Sequence, residues 1–318
     1  MKKNLILEIC QNHNGSEKLL KEMIHAASET GAKFVKIQDI HSEELTNRPK
    51  FNKGISKNGK IYTLKRPFKD EYKRLKKLDM KKNFISNFVK FCSIYNIKPM
   101  ITPFTYGSYY RIKNKGVKFI KIASYDCSSL HFLDKIKSLK LPMIVSTGAT
   151  KKKEIINASK TLGKNLFAFL HCVTIYPTPL DKCNLRKINF LKKFCKNVGW
   201  SDHTLFERDK HAASLTSLLL GASIIERHFT ILKKTKTKDG PVSINFEEAK
   251  ELTNYMKYDN KKILQILNDE YKDKWKLCIG KGKTNLSHLE LLNREYYRGR
   301  FAKFVQGKPN YNWQIERL

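Results

Sequence analysis

Acidic residues are scarce in this 318-residue chain: 29 aspartates and glutamates face 63 lysines and arginines, for a formal net charge of +34. No run of 18 or more apolar residues occurs, so no membrane span is expected. The basic start Met1-Lys2-Lys3 leads into an apolar stretch that Glu8 interrupts too early for a signal peptide, and a cytoplasmic protein is expected. The seven cysteines (Cys10, Cys92, Cys127, Cys172, Cys183, Cys195 and Cys278) are odd in number and form no C-x-x-C pair. That argues against a disulfide framework and a zinc knuckle, and leaves reduced thiols. No Gly-x-Gly-x-x-Gly follows the first apolar run, so a dinucleotide cradle is not indicated.

The charge excess is spread along the chain as Lys-Lys pairs, with no zinc finger, RRM signature or helix-turn-helix to organise a reader of bases. A solvated lysine-rich surface is the simplest reading, and nucleic acid is not an expected partner. Steering of anionic substrates needs only a local excess at a site mouth.

What the chain does have is alternation. Short apolar, β-branched runs occur at Leu5–Cys10, Lys33–Gln38, Lys98–Thr102, Lys118–Ser124, Pro142–Thr147, Leu166–Cys172, Val198–Asp202 and Ser223–Thr230. Helical spacing separates them at Ser16–Thr30, Lys82–Tyr95, Tyr109–Lys115, Leu130–Leu139, Lys151–Leu162, Leu185–Cys195 and Arg208–Leu220. Such alternation builds a parallel sheet with helical crossovers, and about eight repeats give an α/β (β/α)8 TIM barrel. A doubly wound open sheet is the second choice. The barrel is expected over residues 1–275, with a short C-terminal extension over 276–318. Asn245–Glu270 reads as one closing amphipathic helix, and the long His41–Lys69 connection as a loop at the site mouth.

Chemistry in a barrel belongs at the C-terminal ends of the strands. Here those ends carry Glu8, Lys36 with Gln38, Thr102, Lys121 with Ser124, Ser146, His171, Ser201 with His203, and Glu226 with His228. Side chains two apart on a strand share a face. Together these residues describe an anion pocket beside a metal site. Lys121 reads as a Schiff-base lysine, a fixed charge for phosphate, or a surface lysine. Cys10 reads as a soft metal ligand or a small buried hydrophobe, the second being preferred. His171 reads as packed against the barrel floor.

The strand-end strings Glu8-Ile9-Cys10-Gln11-Asn12-His13-Asn14-Gly15, Lys36-Ile37-Gln38, Thr102-Pro103-Phe104, Lys121-Ile122-Ala123-Ser124, Ser146-Thr147-Gly148, His171-Cys172-Val173-Thr174-Ile175-Tyr176-Pro177, Ser201-Asp202-His203-Thr204 and Glu226-Arg227-His228-Phe229-Thr230 occur in order. The ordered set, over roughly residues 4–245, resembles the sialic acid synthase family. The resemblance implies an enzyme that condenses phosphoenolpyruvate with an open-chain N-acylated hexosamine, assisted by a divalent metal, Mn2+ or Mg2+. It implies that His203 and His228 hold the metal. Lys36, Thr102, Lys121, Ser124, Ser146 and Ser201 would surround phosphoenolpyruvate, while Glu8, Gln38 and Tyr176 would face the sugar or the reacting centre. The catalytic set would be Glu8, Lys121, His203 and His228, and a homodimer is the assembly implied.

Three departures bear on the sugar half. Family members carry Gly-Pro-Asp after the eighth strand, whereas this chain reads Lys238-Asp239-Gly240-Pro241-Val242, with Asp239 expected to substitute from the other side of the turn. Thr174 stands where the family often has Asn. Typical members continue into an antifreeze-like (SAF) domain that lends an Arg to the partner's sugar site. Here only Asn285–Leu318 follows, with Arg298 or Arg300 as replacements. A sugar other than N-acetylmannosamine is therefore expected. The alternatives are a 3-deoxy-ulosonate synthase using another aldose or a sugar phosphate, and a degenerate non-catalytic barrel that binds polyanions.

Overall fold

In the computed structural model, residues 3–312 apart from 80, 82 and 284 are described. Eight parallel strands close on themselves: β1 (Asn4–Cys10), β2 (Phe34–Asp39), β3 (Lys98–Pro103), β4 (Phe119–Ile122), β5 (Met143–Ser146), β6 (Leu166–Cys172), β7 (Asn197–Asp202) and β8 (Ile224–Phe229). Each strand pairs with the next in the chain, and β8 returns to β1 with Asn4 opposite Ile224 and Glu8 opposite His228. This is a (β/α)8 TIM barrel, as the alternation predicts. A two-residue strand, Ser243–Ile244, adds to the end of β8. No helix among the described residues is long and apolar enough to cross a membrane.

Period-two alternation sorts the side chains into two cores. Leu5, Leu7, Val35, Ile101 and Val145 point outward into the main apolar cluster between strands and helices. Ile6, Phe34, Met100, Ile144, Leu170 and Ile224 point inward and form a separate plug inside the barrel. The next inward residue up each strand is polar: Glu8 follows Ile6, Lys36 follows Phe34, Thr102 follows Met100, and Glu226 follows Ile224. The apolar plug is thus the floor on which the polar layer stands. Gly199 is required where β7 crosses this plug. A Cβ there would sit 2.6 Å from Leu170 Cδ2 and would also strike the Ile224 carbonyl oxygen.

Fully buried Asp202 and Arg227 face each other across β7 and β8, with Oδ1 and Nη1 2.7 Å apart. Asp202 also accepts from Ser214 Oγ at 2.6 Å and Thr204 Oγ1 at 2.7 Å. This outward-facing network fixes the strand ends from which His203 and Glu226 project inward.

Several expectations are corrected. The closing helix is two helices, Phe246–Tyr255 and Asn260–Tyr271, because Asp259 caps a new start by accepting from Lys262 N at 2.8 Å. The Arg208–Leu220 segment is split into Phe206–Asp209 and Ala212–Leu219, with Lys210 at φ 46° between them. The helix expected at Tyr109–Lys115 begins earlier, at Tyr106, where Thr105 caps it. The one expected at Leu185–Cys195 is only Lys187–Leu191. Phe84–Ile94 is helical, while Lys82, where that helix was expected to begin, lies outside the described residues.

The His41–Lys69 connection is structured. It holds a short helix, Pro49–Lys53, and a hairpin of Ile55–Lys57 with Lys60–Thr63. The extension contributes a helix, His288–Tyr297, and a second hairpin, Ala302–Val305 with Lys308–Tyr311. Residues 313–318 lie outside the described residues. Arg294 and Arg298 both reach Glu154, Arg300 reaches Glu71, and Asn312 Nδ2 donates to Phe104 O and Asp126 Oδ1 at 2.9 Å. These contacts seat the extension on the C-terminal loops of the barrel.

Candidate active site

A cavity of about 470 Å³ opens at the C-terminal end of the barrel. All twelve residues singled out from the sequence line it: Glu8, Lys36, Gln38, Thr102, Lys121, Ser124, Ser146, Tyr176, Ser201, His203, His228 and Asp239. The volume suits small-molecule substrates. Six lysines and arginines line it against three carboxylates, so the cavity is cationic.

Its base is an ion network. Glu8 pairs with Lys36 across the β1–β2 ladder, and its Oε1 accepts from the Cys10 amide at 2.7 Å. Lys36 Nζ also donates to Thr102 Oγ1 at 2.9 Å. Glu226 lies between the two lysines, with Oε1 3.8 Å from Lys36 Nζ and Oε2 3.6 Å from Lys121 Nζ. Ser201 Oγ donates to Glu226 at 3.2 Å, and Lys121 Nζ donates to Ser146 Oγ at 2.6 Å. Ser124 Oγ accepts from the Gly148 amide at 3.1 Å.

The electrostatics follow from burial and proximity. Burial pulls the Lys36 ammonium down, but Glu226 and Glu8 outweigh it and hold its pKa above the ordinary lysine value. Burial lowers the Lys121 pKa, against the pull of Glu226 and with the push of Lys36. Burial raises Glu226, yet Lys121 and Lys36 hold its carboxyl below the usual range. Two buried lysines thus share Glu226, and Lys36 pairs with Glu8 as well.

Beside this network stand groups that could hold a metal ion. Cys10, His228 and Asp239 offer ligand atoms that all lie within 4.8 Å of one another. Cys10 Sγ donates to Asp239 Oδ2 at 3.0 Å. His228 is buried, and its Nδ1 has no hydrogen-bond partner. The His203 ring centre is 5.2 Å from that of His228, and Tyr176 tilts against it at 4.1 Å. Two imidazoles bound at about 2.1 Å to one ion bring their ring centres to roughly 5 Å. Burial, then His228, lowers the His203 pKa well below its ordinary value, which keeps the ring in the neutral form a metal needs. Orphaned imidazole, carboxylate and second imidazole together fit a divalent ion.

Some placements differ from expectation. Cys10 is buried, in line with the preferred reading, and it also lines the cavity and belongs to this donor group, with φ 53° beside a bulge in the β1–β2 ladder. His171 is packed away from the cavity, but on the outer side of the strands and not on the barrel floor expected for it: its Nε2 meets Cys183 O at 2.8 Å and its ring lies on Trp200. Arg298 is taken up by Glu154 and Ser128 and does not line the cavity, whereas Arg300 does. Glu226 was not singled out for a role, although its place two residues before His228 gave the signal. Tyr297 and Asn293 of the extension helix also line the cavity. Tyr297 stacks on Tyr125 at 4.8 Å, and Asn293 Nδ2 donates to Thr174 O at 2.7 Å. The rim carries Arg74, Lys238 and Arg300 around one carboxylate, Glu71.

Comparison with known proteins shows the family. The NeuB family profile matches residues 23–265. An N,N'-diacetyllegionaminic acid synthase of Campylobacter jejuni is 35% identical over 263 residues, covering 79% of this chain and 75% of that protein. A pseudaminic acid synthase of the same species is 27% identical, covering 94% of this chain and 81% of its own length. The crystal structure of an N-acetylneuraminic acid synthetase from Leptospira borgpetersenii superposes with a TM-score of 0.69 at 26% identity, covering 93% of this chain and 91% of that one.

Proposed function

The chain belongs to the NeuB family, and from that premise we propose that it condenses phosphoenolpyruvate with the open-chain aldehyde of an N-acylated hexosamine to form a nonulosonate. The observation that carries this reading is the pair of buried lysines sharing Glu226 in a cationic, barrel-end cavity. Phosphoenolpyruvate brings a carboxylate and a phosphate, and ammonium and hydroxyl donors must replace the water that held them.

In the proposed reaction, C3 of phosphoenolpyruvate attacks the aldehyde carbon, and the aldehyde oxygen takes a proton. Water adds at C2, gives up its proton, and the C2–O bond to phosphate breaks. Lys36 and Lys121 hold the phosphate and carboxylate, with Thr102, Ser124, Ser146 and Ser201 completing the cradle. Glu8, fixed by Lys36 and the Cys10 amide, orients the water and receives its proton. Gln38, Tyr176 and Asp239 face the sugar. His228, His203 and Asp239 would hold a divalent ion, Mn2+ or Mg2+, which when bound stabilises negative charge on the aldehyde oxygen.

A second reading concerns the sugar alone. Three cations around Glu71 at the rim favour an anionic group on the aldehyde substrate, which a sugar phosphate supplies. Both readings are tested by incubating the protein with manganese, phosphoenolpyruvate and a panel of N-acylated hexosamines and their 6-phosphates. Phosphate release together with the mass of the product names the substrate. Phosphate release with none of them, under metals and pH values that keep the protein folded, contradicts the proposal.

A further inference from the structure

We propose that the Cys10 thiolate is itself a ligand of the divalent ion, so that the centre is a thiolate–imidazole–carboxylate site. The inference rests on the metal-assisted reading above and specifies its chemistry. Three independent features of this chain support it.

The first is backbone conformation. Cys10 adopts φ 53°, a region that glycine enters freely and side-chain-bearing residues enter at a cost. A bulge in the β1–β2 ladder between Glu8 and Cys10 accompanies that conformation, and Cys10 lines the cavity. The second is position. Cys10 Sγ, a His228 ring nitrogen and an Asp239 carboxylate oxygen lie within 4.8 Å of one another, with Sγ and Oδ2 in contact at 3.0 Å. Ligands at about 2.3 Å for sulfur and about 2.1 Å for nitrogen and oxygen stand no more than roughly 4.4 Å apart around one ion. The three atoms stand close to that spacing. The third is an unmet need. His228 is more than nine-tenths buried, and its Nδ1 has no hydrogen-bond partner.

The simpler account is a neutral thiol that only donates a hydrogen bond to Asp239. It leaves a thiol in contact with the same carboxylate that would hold the ion, beside an unpartnered His228 nitrogen, with no part in the centre. When an ion takes the thiol's place on Asp239, the thiol proton leaves to solvent and sulfur, nitrogen and oxygen meet the metal. A thiolate in the set biases the centre toward borderline ions such as Zn2+ and Co2+ and away from Mg2+. The three residues line the cavity, and an ion held by them would be within reach of a substrate oxygen there.

Cobalt provides the test. The full chain, stripped with chelator, is titrated with Co2+ and followed by absorbance, alongside Cys10→Ser and Cys10→Gly. Glycine suits the backbone at this position, so the second variant guards against a folding defect. The expected result is a sulfur-to-cobalt charge-transfer band in the near ultraviolet for the native protein, absent from both variants. Zn2+ affinity should fall by at least about tenfold in each variant, while Mg2+ affinity changes by less than about threefold. Visible cobalt bands without the charge-transfer band, or a band that persists in Cys10→Gly because Cys172 supplies it, would overturn the Cys10 assignment and leave the metal-assisted reading standing. Absence of any cobalt binding to the folded protein would overturn both.

Discussion

Lys121 Nζ stands 3.6 Å from Glu226 Oε2, and both side chains are buried. Glu226 is also the neighbour of Lys36, which pairs with Glu8 as well, so two carboxylates offset two lysines in an environment that penalises every charge. Each of the four charges depends on the others, which gives the first prediction. Replacing Glu226 with Gln leaves both ammonium groups near Glu8 alone. Stability should fall by about 3–5 kcal/mol, the usual cost of breaking a buried pair. Urea denaturation at neutral pH measures this. Phosphoenolpyruvate should recover a larger share of the loss in the variant than it adds to the native protein.

Lys121 acts as a fixed charge on this account, not as a nucleophile. Lys121→Met should lower kcat/KM for phosphoenolpyruvate by about a hundredfold or more, as expected when a preorganised charge is lost from a buried site. Borohydride with pyruvate should leave Lys121 unmodified in the native protein. A reduced adduct on that lysine, detected by peptide mass, would place the chemistry in the Schiff-base class.

The ease with which this site is read from the sequence has a physical basis. Inward residues recur every second position, so the polar strand ends Lys36 and Gln38, or Ser201 and His203, announce a shared face without any knowledge of the loops. What stayed hidden depended on contacts between distant segments. The left-handed backbone at Cys10 comes from a ladder bulge that no local pattern marks. The break at Asp259 is a capping choice inside an otherwise helical stretch. The placement of Arg300, but not Arg298, on the cavity is decided by Glu71 and Glu154, more than 140 residues earlier in the chain.

Stability should fall as the solution becomes mildly acidic. Burial lowers the pKa of His13 to about 4, and burial with Lys187 lowers that of His171 to about 3. Unfolding frees both to titrate near the ordinary value of 6.5. Between pH 6.5 and 4 the unfolded chain therefore binds protons that the folded chain does not, and folding weakens as pH drops. Each histidine contributes up to about 1.4 kcal/mol per pH unit in that window. Urea midpoints at pH 7, 6 and 5 should decline in order, and His171→Phe should flatten the decline.

The extension is held by Glu154, which accepts from Arg294 and Arg298 and whose pKa these arginines lower to about 2 against the effect of burial. Its stabilising contribution is complete above pH 4.5 and is lost as pH falls toward 2. Discounted for partial solvent screening, it amounts to about 1–2 kcal/mol. Glu154→Gln should speed amide hydrogen exchange across His288–Tyr297 while leaving β1 and β8 protected. Because Asn293 and Tyr297 line the cavity, KM for the sugar should rise more than KM for phosphoenolpyruvate. Uniform loss of protection over the barrel would show that Glu154 supports the whole fold instead.

The central claim is the condensation itself, with water adding at C2 and phosphate leaving through C–O cleavage. Turnover in 18O-labelled water, with mass spectrometry of both products, tests it most directly. One heavy oxygen is expected in the nonulosonate and none in the phosphate. Heavy oxygen in the phosphate would mean that water attacks phosphorus, and would contradict the chemistry assigned to Lys36, Lys121 and Glu8.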